Sequence, residues 1–206
     1  MTYDARFYDA IRDGCRRSAE AVAPIVNAEY FTEAYIPRRA DHVVDVGCGE
    51  GWWGRQFAGL GAVVQGYDTG AVPDAQIDVA VCDLTGPIPD RGGHDLAICL
   101  EVAEHLPETA AAHLVAELVR LAPTVLFSAA MPRQGGTGHV NCQPPAYWAD
   151  LFAQHGYGCD DELRFKVWDN PAVEPWYKSN LLVFDSTIPH TTPRHVIHPD
   201  LWLEPR

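Results

Sequence analysis

The chain has 206 residues, of which 15 are Lys or Arg and 28 are Asp or Glu, so its formal net charge is −13. This length is typical of one domain, and a composition of 47% hydrophobic and 21% charged residues excludes a disordered chain. The negative charge disfavours non-specific binding to nucleic acid, whose phosphates need a basic surface. We expect no membrane span and no secretion signal, because the chain has no long apolar run and residues 1–17 are charged throughout. Scattered cysteines without a CxxC pair favour free thiols in the cytoplasm.

Residues 1–39 are predicted to form an N-terminal helical cap. Apolar residues at three- and four-residue spacing predict an amphipathic helix that ends near Pro24. A second short helix over 25–36 is expected to stop at Pro37. We interpret the arginines of this segment as a solvated helix face.

From His42 onward, short apolar segments alternate with helical patterns. Strands are predicted at 42–47, 62–68, 77–83, 94–101 and 123–131, and helices at 52–61, 108–122 and 144–157. Two later strands, at 161–169 and 178–186, are close enough in sequence to be antiparallel. This alternation predicts a three-layer α/β sandwich over residues 40–188. The segment 189–206 is expected to be either a packed extension or a mobile tail.

A glycine cluster follows the first predicted strand, in the sequence Asp45-Val46-Gly47-Cys48-Gly49-Glu50-Gly51. Glycines at alternate positions permit positive φ in a tight turn and remove Cβ atoms where a ligand must approach the backbone. The dinucleotide fingerprint requires G-x-G-x-x-G, but Trp52 occupies the position of its third glycine. The loop therefore disfavours an NAD-dependent dehydrogenase.

An acidic residue ends each of the next two predicted strands. Asp68 lies where a carboxylate can accept hydrogen bonds from both hydroxyls of an adenosine ribose. Asp83 lies where it can accept a hydrogen bond from the adenine amine, with the backbones of Cys82 and Leu84 on either side of the ring. Either aspartate alone is explained equally well as a helix N-cap or an Asx turn. The ordered set of glycine loop and two acidic strand ends favours nucleoside binding.

The segments VVDVGCGEG, GYD, AVCD and DLAICLEVAEHL occur in this order. Over roughly residues 40–186 the chain resembles the class I S-adenosylmethionine-dependent methyltransferases. The resemblance implies a Rossmann-like, seven-stranded, mostly parallel sheet with an antiparallel last strand, and S-adenosyl-L-methionine as cofactor. Its implied cofactor residues are Asp45, Gly47, Cys48, Gly49, Gly51, Asp68, Cys82, Asp83, Leu84 and Leu100. We expect the N-terminal cap to cover the cofactor, with Tyr8, Tyr30 and Arg17 within reach.

The methyl acceptor is expected beyond the fourth and fifth strands. Methyl transfer is an in-line displacement, and a hydroxyl acceptor also needs a base or a metal to remove its proton. If a helical turn starts at Glu101, then Glu101, Glu104 and His105 share one face. His139, in the glycine-rich loop after the fifth strand, can join them. The E-x-x-E-H run resembles the metal-binding segment of small-RNA 2′-O-methyltransferases and of ubiquinone-pathway catechol O-methyltransferases.

Three roles are open for these four residues. Together they can hold Mg²⁺ or another divalent cation. Alternatively, His105 or His139 acts as a general base without a metal. In the third alternative, Glu101 contacts the amino group of the cofactor and His105 is structural.

Two further features near the acceptor each have a functional and a structural interpretation. Gly135, Gly136 and Gly138 make the loop before His139 pliable, as a lid needs to be, or they form a plain connecting turn. Four aromatic residues either line an acceptor pocket or belong to the core: Trp148, Trp168, Trp176 and Tyr177.

Three hypotheses about function follow. The first is a methyltransferase that acts on a small molecule, at a hydroxyl oxygen. The second is an RNA 2′-O-methyltransferase, which requires a basic track that Arg133, Arg38 and Arg39 would have to supply. The third is a protein that binds S-adenosylmethionine without turnover. The acidity of the chain favours the small-molecule acceptor, and no oligomeric state is predicted.

Overall fold

The computed structural model describes residues 5–31 and 40–203. Its seven strands form one sheet and are β1 (His42–Val46), β2 (Val63–Asp68), β3 (Val79–Val81), β4 (Leu96–Leu100), β5 (Thr124–Ser128), β6 (Gly158–Asp160) and β7 (Leu182–Asp185). The strand order is β3-β2-β1-β4-β5-β7-β6. Only β7 runs antiparallel to its neighbours β5 and β6, and the other pairs are parallel. The predicted sheet with an antiparallel last strand is confirmed.

Helices cover both faces of this sheet. They are α1 (Ala5–Tyr30), α2 (Trp52–Gly59), α3 (Glu108–Leu121), α4 (Pro145–Ala153), α5 (Glu162–Lys166), α6 (Pro175–Asn180) and α7 (Pro199–Leu203). Successive residues of a strand point to opposite faces, so Val125 and Phe127 pack against α3 and α4. Leu126, between them, packs in the second core with α1, α2, α5 and α6. The three-layer sandwich is confirmed. Within the described part of the chain, no helix has both the length and the apolar character needed to cross a membrane.

The predicted helix break at Pro24 is wrong. A single helix, α1, runs from Ala5 to Tyr30 with Pro24 inside it. Val22 and Val26, on either side of the proline, are completely buried in the same core. Their burial stabilises the continuous helix against the loss of one backbone hydrogen bond at the proline. Residues 32–39, with Pro37, Arg38 and Arg39, lie outside the described residues.

The predicted strand at 161–169 is also wrong, because this segment contains the helix α5. Leu163 and Val167 are buried at a spacing of four residues, which is the period of a helix rather than a strand. Between them, the completely buried Arg164 donates hydrogen bonds to the carbonyl oxygens of Ser179 (2.9 Å) and Arg194 (2.8 Å). The strand that precedes α5, β6, is only three residues long.

The C-terminal segment is packed against the domain. Thr191 donates a hydrogen bond to the carbonyl of Cys159 (2.6 Å), and Arg194 pairs with Asp161. His198 is buried, and its backbone N–H donates to the hydroxyl of Ser179 (2.9 Å). Of the two alternatives, the packed extension is therefore the correct one for residues up to 203. The domain boundaries at 39 and 188 stay a prediction.

Candidate active site

A cavity of about 1140 Å³ lies at the carboxyl ends of the parallel strands. The loops after β1 to β5 line its floor and sides, and parts of α1, α6 and α7 also line it. In open α/β sheets, ligands bind at this edge, where the helices that follow two neighbouring strands pack on opposite faces of the sheet. The cavity is therefore the candidate active site.

The glycine loop forms one wall of the cavity. Gly47, Gly49 and Gly51 have φ of 71°, 51° and 79°, in the left-handed region that side chains disfavour. A Cβ atom on Gly47 would lie only 2.3 Å from a methyl carbon of Val102. The tight turn predicted from the sequence is present, and it exposes backbone to the cavity.

Three aspartates line the cavity beside this loop. Asp68 is nearly buried, and its carboxylate accepts hydrogen bonds from the N–H groups of Gly49 (2.8 Å) and Thr69 (2.7 Å). Asp45 accepts from the N–H of Gly54 (2.9 Å), and burial raises the pKa of its carboxyl to about 7. These bonds fix both side chains at the ends of β1 and β2.

Asp83 forms the Asx turn that was one of its two interpretations, and its predicted bond to adenine stays a prediction. It lines the cavity with Cys82 and Leu84, and it also accepts hydrogen bonds from the backbone and hydroxyl of Thr85 (2.9 and 2.7 Å). This is an Asx turn. The turn lowers the pKa of Asp83, so the side chain is a carboxylate at neutral pH.

The first helix lies over the glycine loop. Arg12 donates from Nε to both oxygens of Glu50 (3.0 Å each), and the indole of Trp52 also donates to this carboxylate (2.9 Å). Burial alone would raise the pKa of Glu50, but these hydrogen bonds and the charge of Arg12 lower it. The ring of Tyr8 faces Gly49, where a Cβ atom would be 3.2 Å away. Arg12 is therefore bound to the glycine loop, although its side chain is still partly exposed.

Arg17 and Tyr30 do not reach the cavity, contrary to expectation. Arg17 pairs with Glu174 (2.8 Å), and the hydroxyl of Tyr30 donates to Asp160 (2.8 Å). Both side chains attach α1 to the rest of the domain. Of the three cap residues proposed from the sequence, only Tyr8 lines the cavity.

Glu104, His105 and His139 come together on the opposite wall. One ligand atom from each lies within 4.8 Å of the other two. Glu104 is completely buried and accepts a hydrogen bond at Oε1 from the N–H of Ala130 (3.1 Å), whereas Oε2 has no hydrogen-bond partner among the described residues. The His105 and His139 rings meet edge to face, with centroids 4.9 Å apart.

Glu101 is not one of the three residues whose ligand atoms lie within 4.8 Å of one another, so its predicted place in the set stays a prediction. Its φ is 54°, and the helical turn starts only at Ala103. The carboxylate of Glu101 accepts hydrogen bonds from the amides of Asn180 (3.0 Å) and Gln134 (3.4 Å). Glu101 lines the cavity with Leu100, and its carboxyl group also interacts with that of Glu104.

The protonation states of the two histidines suit the binding of a cation, whereas that of Glu104 opposes it. Burial lowers the pKa of His105 to about 4, with the neighbouring His139 adding to the effect, and burial also lowers the pKa of His139. Both imidazoles are therefore neutral at pH 7 and can donate a lone pair. Burial and the nearby charge of Glu101 raise the pKa of Glu104 well above its ordinary value. The two neutral imidazoles fit a divalent cation, whereas the carboxyl group of Glu104 would first have to lose its proton to serve as a ligand.

The aromatic residues divide into two groups. Trp176 and Tyr177 line the cavity, and so do Trp52 and Trp53. The hydroxyl of Tyr177 accepts a hydrogen bond from the indole of Trp53 (3.2 Å) and lies 3.4 Å from the sulfur of Cys15.

The other two tryptophans, for which the sequence left pocket and core open, do not line the cavity. Trp148 is buried against Phe127 in the core. Trp168 stacks on Phe165 and contacts the ring of His198, which belongs to the packed C-terminal segment.

Three thiols also line the cavity, those of Cys15, Cys48 and Cys82. Burial raises the pKa of Cys15 to about 11 and also raises the pKa values of Cys48 and Cys82. All three are therefore protonated at neutral pH.

Solved structures share this architecture. The magnesium protoporphyrin IX methyltransferase from Synechocystis PCC 6803, with bound SAH, superposes with a TM-score of 0.64 at 20% identity and covers 91% of this chain and 90% of that one. A TehB-like SAM-dependent methyltransferase from Corynebacterium glutamicum gives a TM-score of 0.58 at 17% identity, over 87% and 92% of the two chains. This chain has the class I methyltransferase fold.

A relative identified by sequence matches a smaller part of this chain than the solved structures do. The ubiquinone biosynthesis O-methyltransferase of Proteus mirabilis is 32% identical over 114 residues, which cover 46% of this chain and 46% of that protein. The match thus spans about half the length of the curated relative. No protein-family model matches the chain.

Proposed function

We propose that this protein transfers a methyl group from S-adenosyl-L-methionine to a small-molecule acceptor, at a hydroxyl oxygen. One observation carries the proposal: a single cavity joins the glycine loop and Asp68 to the cluster of Glu104, His105 and His139. Nucleoside-binding features and proton-accepting groups therefore face the same space.

The cofactor half of the cavity is the part beside β1, β2 and β3. When bound there, S-adenosylmethionine supplies an electrophilic methyl group on a sulfonium. Asp68 is held by backbone N–H groups at the end of β2, where it can accept hydrogen bonds from ribose hydroxyls. Asp83, Cys82 and Leu84 line the part of the cavity assigned to the adenine ring. Asp45 and the glycine loop line the part assigned to the methionine moiety.

The acceptor half lies beside β4 and β5. His105 and His139 are neutral at working pH, so either can accept the proton that a hydroxyl acceptor must lose. The same imidazoles and Glu104 can instead hold a divalent cation such as Mg²⁺, which would lower the pKa of an acceptor hydroxyl. Tyr8 and Arg12 on α1 cover part of the glycine loop.

The relatives support a small acceptor rather than RNA. The ubiquinone biosynthesis O-methyltransferase and the magnesium protoporphyrin IX methyltransferase are both named for small molecules. Of the three arginines considered for a basic RNA track, Arg133 lines the cavity, and the other two lie outside the described residues. The net charge of −13 also disfavours RNA.

Calorimetric titration with S-adenosylmethionine tests the cofactor assignment. We expect the wild-type protein to bind it and Asp68→Ala to weaken binding by about 100-fold, because two hydrogen bonds to a charged acceptor are lost. Asp150→Ala removes the same charge from an exposed position on α4 and should leave the affinity unchanged. Absence of binding to the wild type would reject the proposed function, and an unchanged affinity in Asp68→Ala would reject the ribose assignment.

Titration with Mn²⁺ distinguishes a cation from a metal-free base. If the cluster holds a cation, the wild type should bind one Mn²⁺, whereas Glu104→Gln and His139→Ala should not, and EDTA should suppress methyl transfer to 3,4-dihydroxybenzoate. Full methyl transfer in excess EDTA would exclude a catalytic cation and retain the alternative of a histidine general base. In that case His105→Ala and His139→Ala identify the base by a changed pH profile.

A further inference from the structure

Arg133 occupies a strained backbone position at the edge of the acceptor half. The N–H of Gln134 donates to the carbonyl of Met131 (3.0 Å), which closes a turn with Pro132 and Arg133 at its centre. Arg133 has φ of 74°, in the left-handed region, at a turn position that ordinarily favours glycine. A side chain there destabilises the turn relative to glycine.

Hydrogen bonds of Gln134 with Met131 and Asn180 hold the turn in place, but the side chain of Arg133 itself contributes none of them. Arg133 is exposed at the cavity and forms no ion pair or side-chain hydrogen bond with residues 7–31 or 40–201. The other arginine in the cavity wall, Arg12, is neutralised by Glu50 and Asp9. Arg133 is therefore the one lining arginine among the described residues whose charge is available to a ligand.

The surroundings of Arg133 place it with the acceptor rather than with the cofactor. The side chain of the next residue, Gln134, accepts a hydrogen bond from Asn180 of α6 (3.0 Å). The helix α6 carries Trp176 and contacts α7, whose Leu201 lines the same cavity. A cationic loop and an apolar, aromatic wall thus lie together beside β5, on the far side of β1 from β2 and β3.

Because the other unpaired charged groups of the cavity are acidic, the Arg133 guanidinium determines whether an anionic ligand can bind. The cavity is lined by the carboxyl groups of Asp45, Glu50, Asp68, Asp83, Glu101 and Glu104. A negatively charged acceptor would be repelled by those that are ionised unless a cation met it directly. A planar guanidinium forms paired hydrogen bonds with a carboxylate, which gives both affinity and orientation.

We infer that the methyl acceptor is an aromatic or otherwise apolar molecule that carries a carboxylate, and that Arg133 binds this carboxylate. The inference rests on the proposed function, of which it specifies the substrate class. Arg133 orients the acceptor, while Trp176 and Leu201 contact its apolar body.

Binding of two probes that differ only in charge tests the inference. Protein saturated with S-adenosylhomocysteine is titrated with 3,4-dihydroxybenzoate and, separately, with the neutral 3,4-dihydroxybenzamide. The wild type should bind the acid at least about tenfold more tightly than the amide. Arg133→Gln should abolish the preference, and Arg133→Lys should retain part of it. Arg55→Gln, which removes the same charge from an exposed site on α2 outside the cavity, should keep it.

Equal affinities for the two probes in the wild type, or no binding of the acid, would overturn the inference, and so would a preference that persists in Arg133→Gln. Failure of S-adenosylhomocysteine to bind would instead reject the proposed function. Thermal unfolding of Arg133→Gly gives an independent readout, since relief of strain should raise the midpoint by about 2–4 °C. A lower midpoint would show that the arginine is structural and would count against the inference.

Discussion

Gly136 lies directly against the imidazole of His139. A Cβ atom at position 136 would be 2.2 Å from both Cε1 and Nε2 of that ring, far inside van der Waals contact. The absence of a side chain at Gly136 therefore permits His139 to approach Glu104 and His105.

Gly136→Ala is expected to displace His139 without disturbing the cofactor half. Methyl transfer should fall by about 10- to 100-fold, because a misplaced catalytic group loses its alignment with the acceptor. Affinity for S-adenosylmethionine, measured by calorimetry, should change little. Gly135→Ala is the matched control: a Cβ atom there meets nothing within 4 Å, so activity should be retained. Equal losses in the two variants would contradict this account of the loop.

Arg12→Gln is expected to lower the free energy of unfolding, because the buried carboxylate of Glu50 loses its ionic partner. Denaturant titration measures the change. Arg16→Gln, on the same helix, breaks only exposed pairs with Asp13 and Glu20 and should stay within about 0.5 kcal/mol of wild type. If Arg12→Gln were as stable as Arg16→Gln, the contact between α1 and the glycine loop would contribute nothing to the free energy of unfolding.

His105 should make the protein less stable in acid. Its pKa is about 4 in the folded state against 6.5 for an unperturbed histidine, so below pH 6.5 the unfolded chain binds a proton that the folded chain does not. The free energy of unfolding should therefore fall as the pH is lowered from 6.5 towards 4. Asp45, with its pKa raised to about 7, acts in the opposite direction over much of this range.

The contribution of His105 is isolated by comparison with His105→Gln. Denaturant titrations across this pH range should show that the variant loses less stability in acid than the wild type. Parallel pH dependences would mean that His105 is protonated as readily in the folded chain as in the unfolded one.

Arg164→Ala should destabilise the protein by about 3–5 kcal/mol, because Asp161 loses a buried charged partner and two backbone carbonyls lose their donor. The segment around Arg194 should also become sensitive to limited proteolysis. Lys166→Ala, on the same helix, breaks only an exposed pair with Glu29 and serves as control. Wild-type protease resistance in Arg164→Ala would show that the C-terminal segment is held by other contacts.

The parallel part of the fold was predictable because its signals are local. Each strand from β1 to β5 is a short apolar run, and the glycine loop follows the first of them. The predictions at Pro24 and at segment 161–169 are wrong because tertiary burial overrides the local sequence pattern there. The burial of Val22 and Val26 stabilises a helix across the proline. Arg164 is stabilised by hydrogen bonds to carbonyl oxygens that are distant in sequence.

The site was predictable only in part, for a similar reason. Spacing brought Glu104 and His105 together correctly, and the topology added His139. The position of Glu101 was not predictable, because its backbone has a positive φ and its hydrogen-bond partner Asn180 lies 79 residues away in sequence. The ion pair of Arg12 and Glu50 spans 38 residues, so no local pattern could reveal it.

The thiols in the cavity have a consequence for a protein proposed to hold an alkylating cofactor. A thiolate is a strong nucleophile, and Cys15, Cys48 and Cys82 share the space in which the activated carbon would lie. Burial raises the pKa values of these sulfurs and so lowers the fraction of reactive thiolate beside the proposed methyl donor.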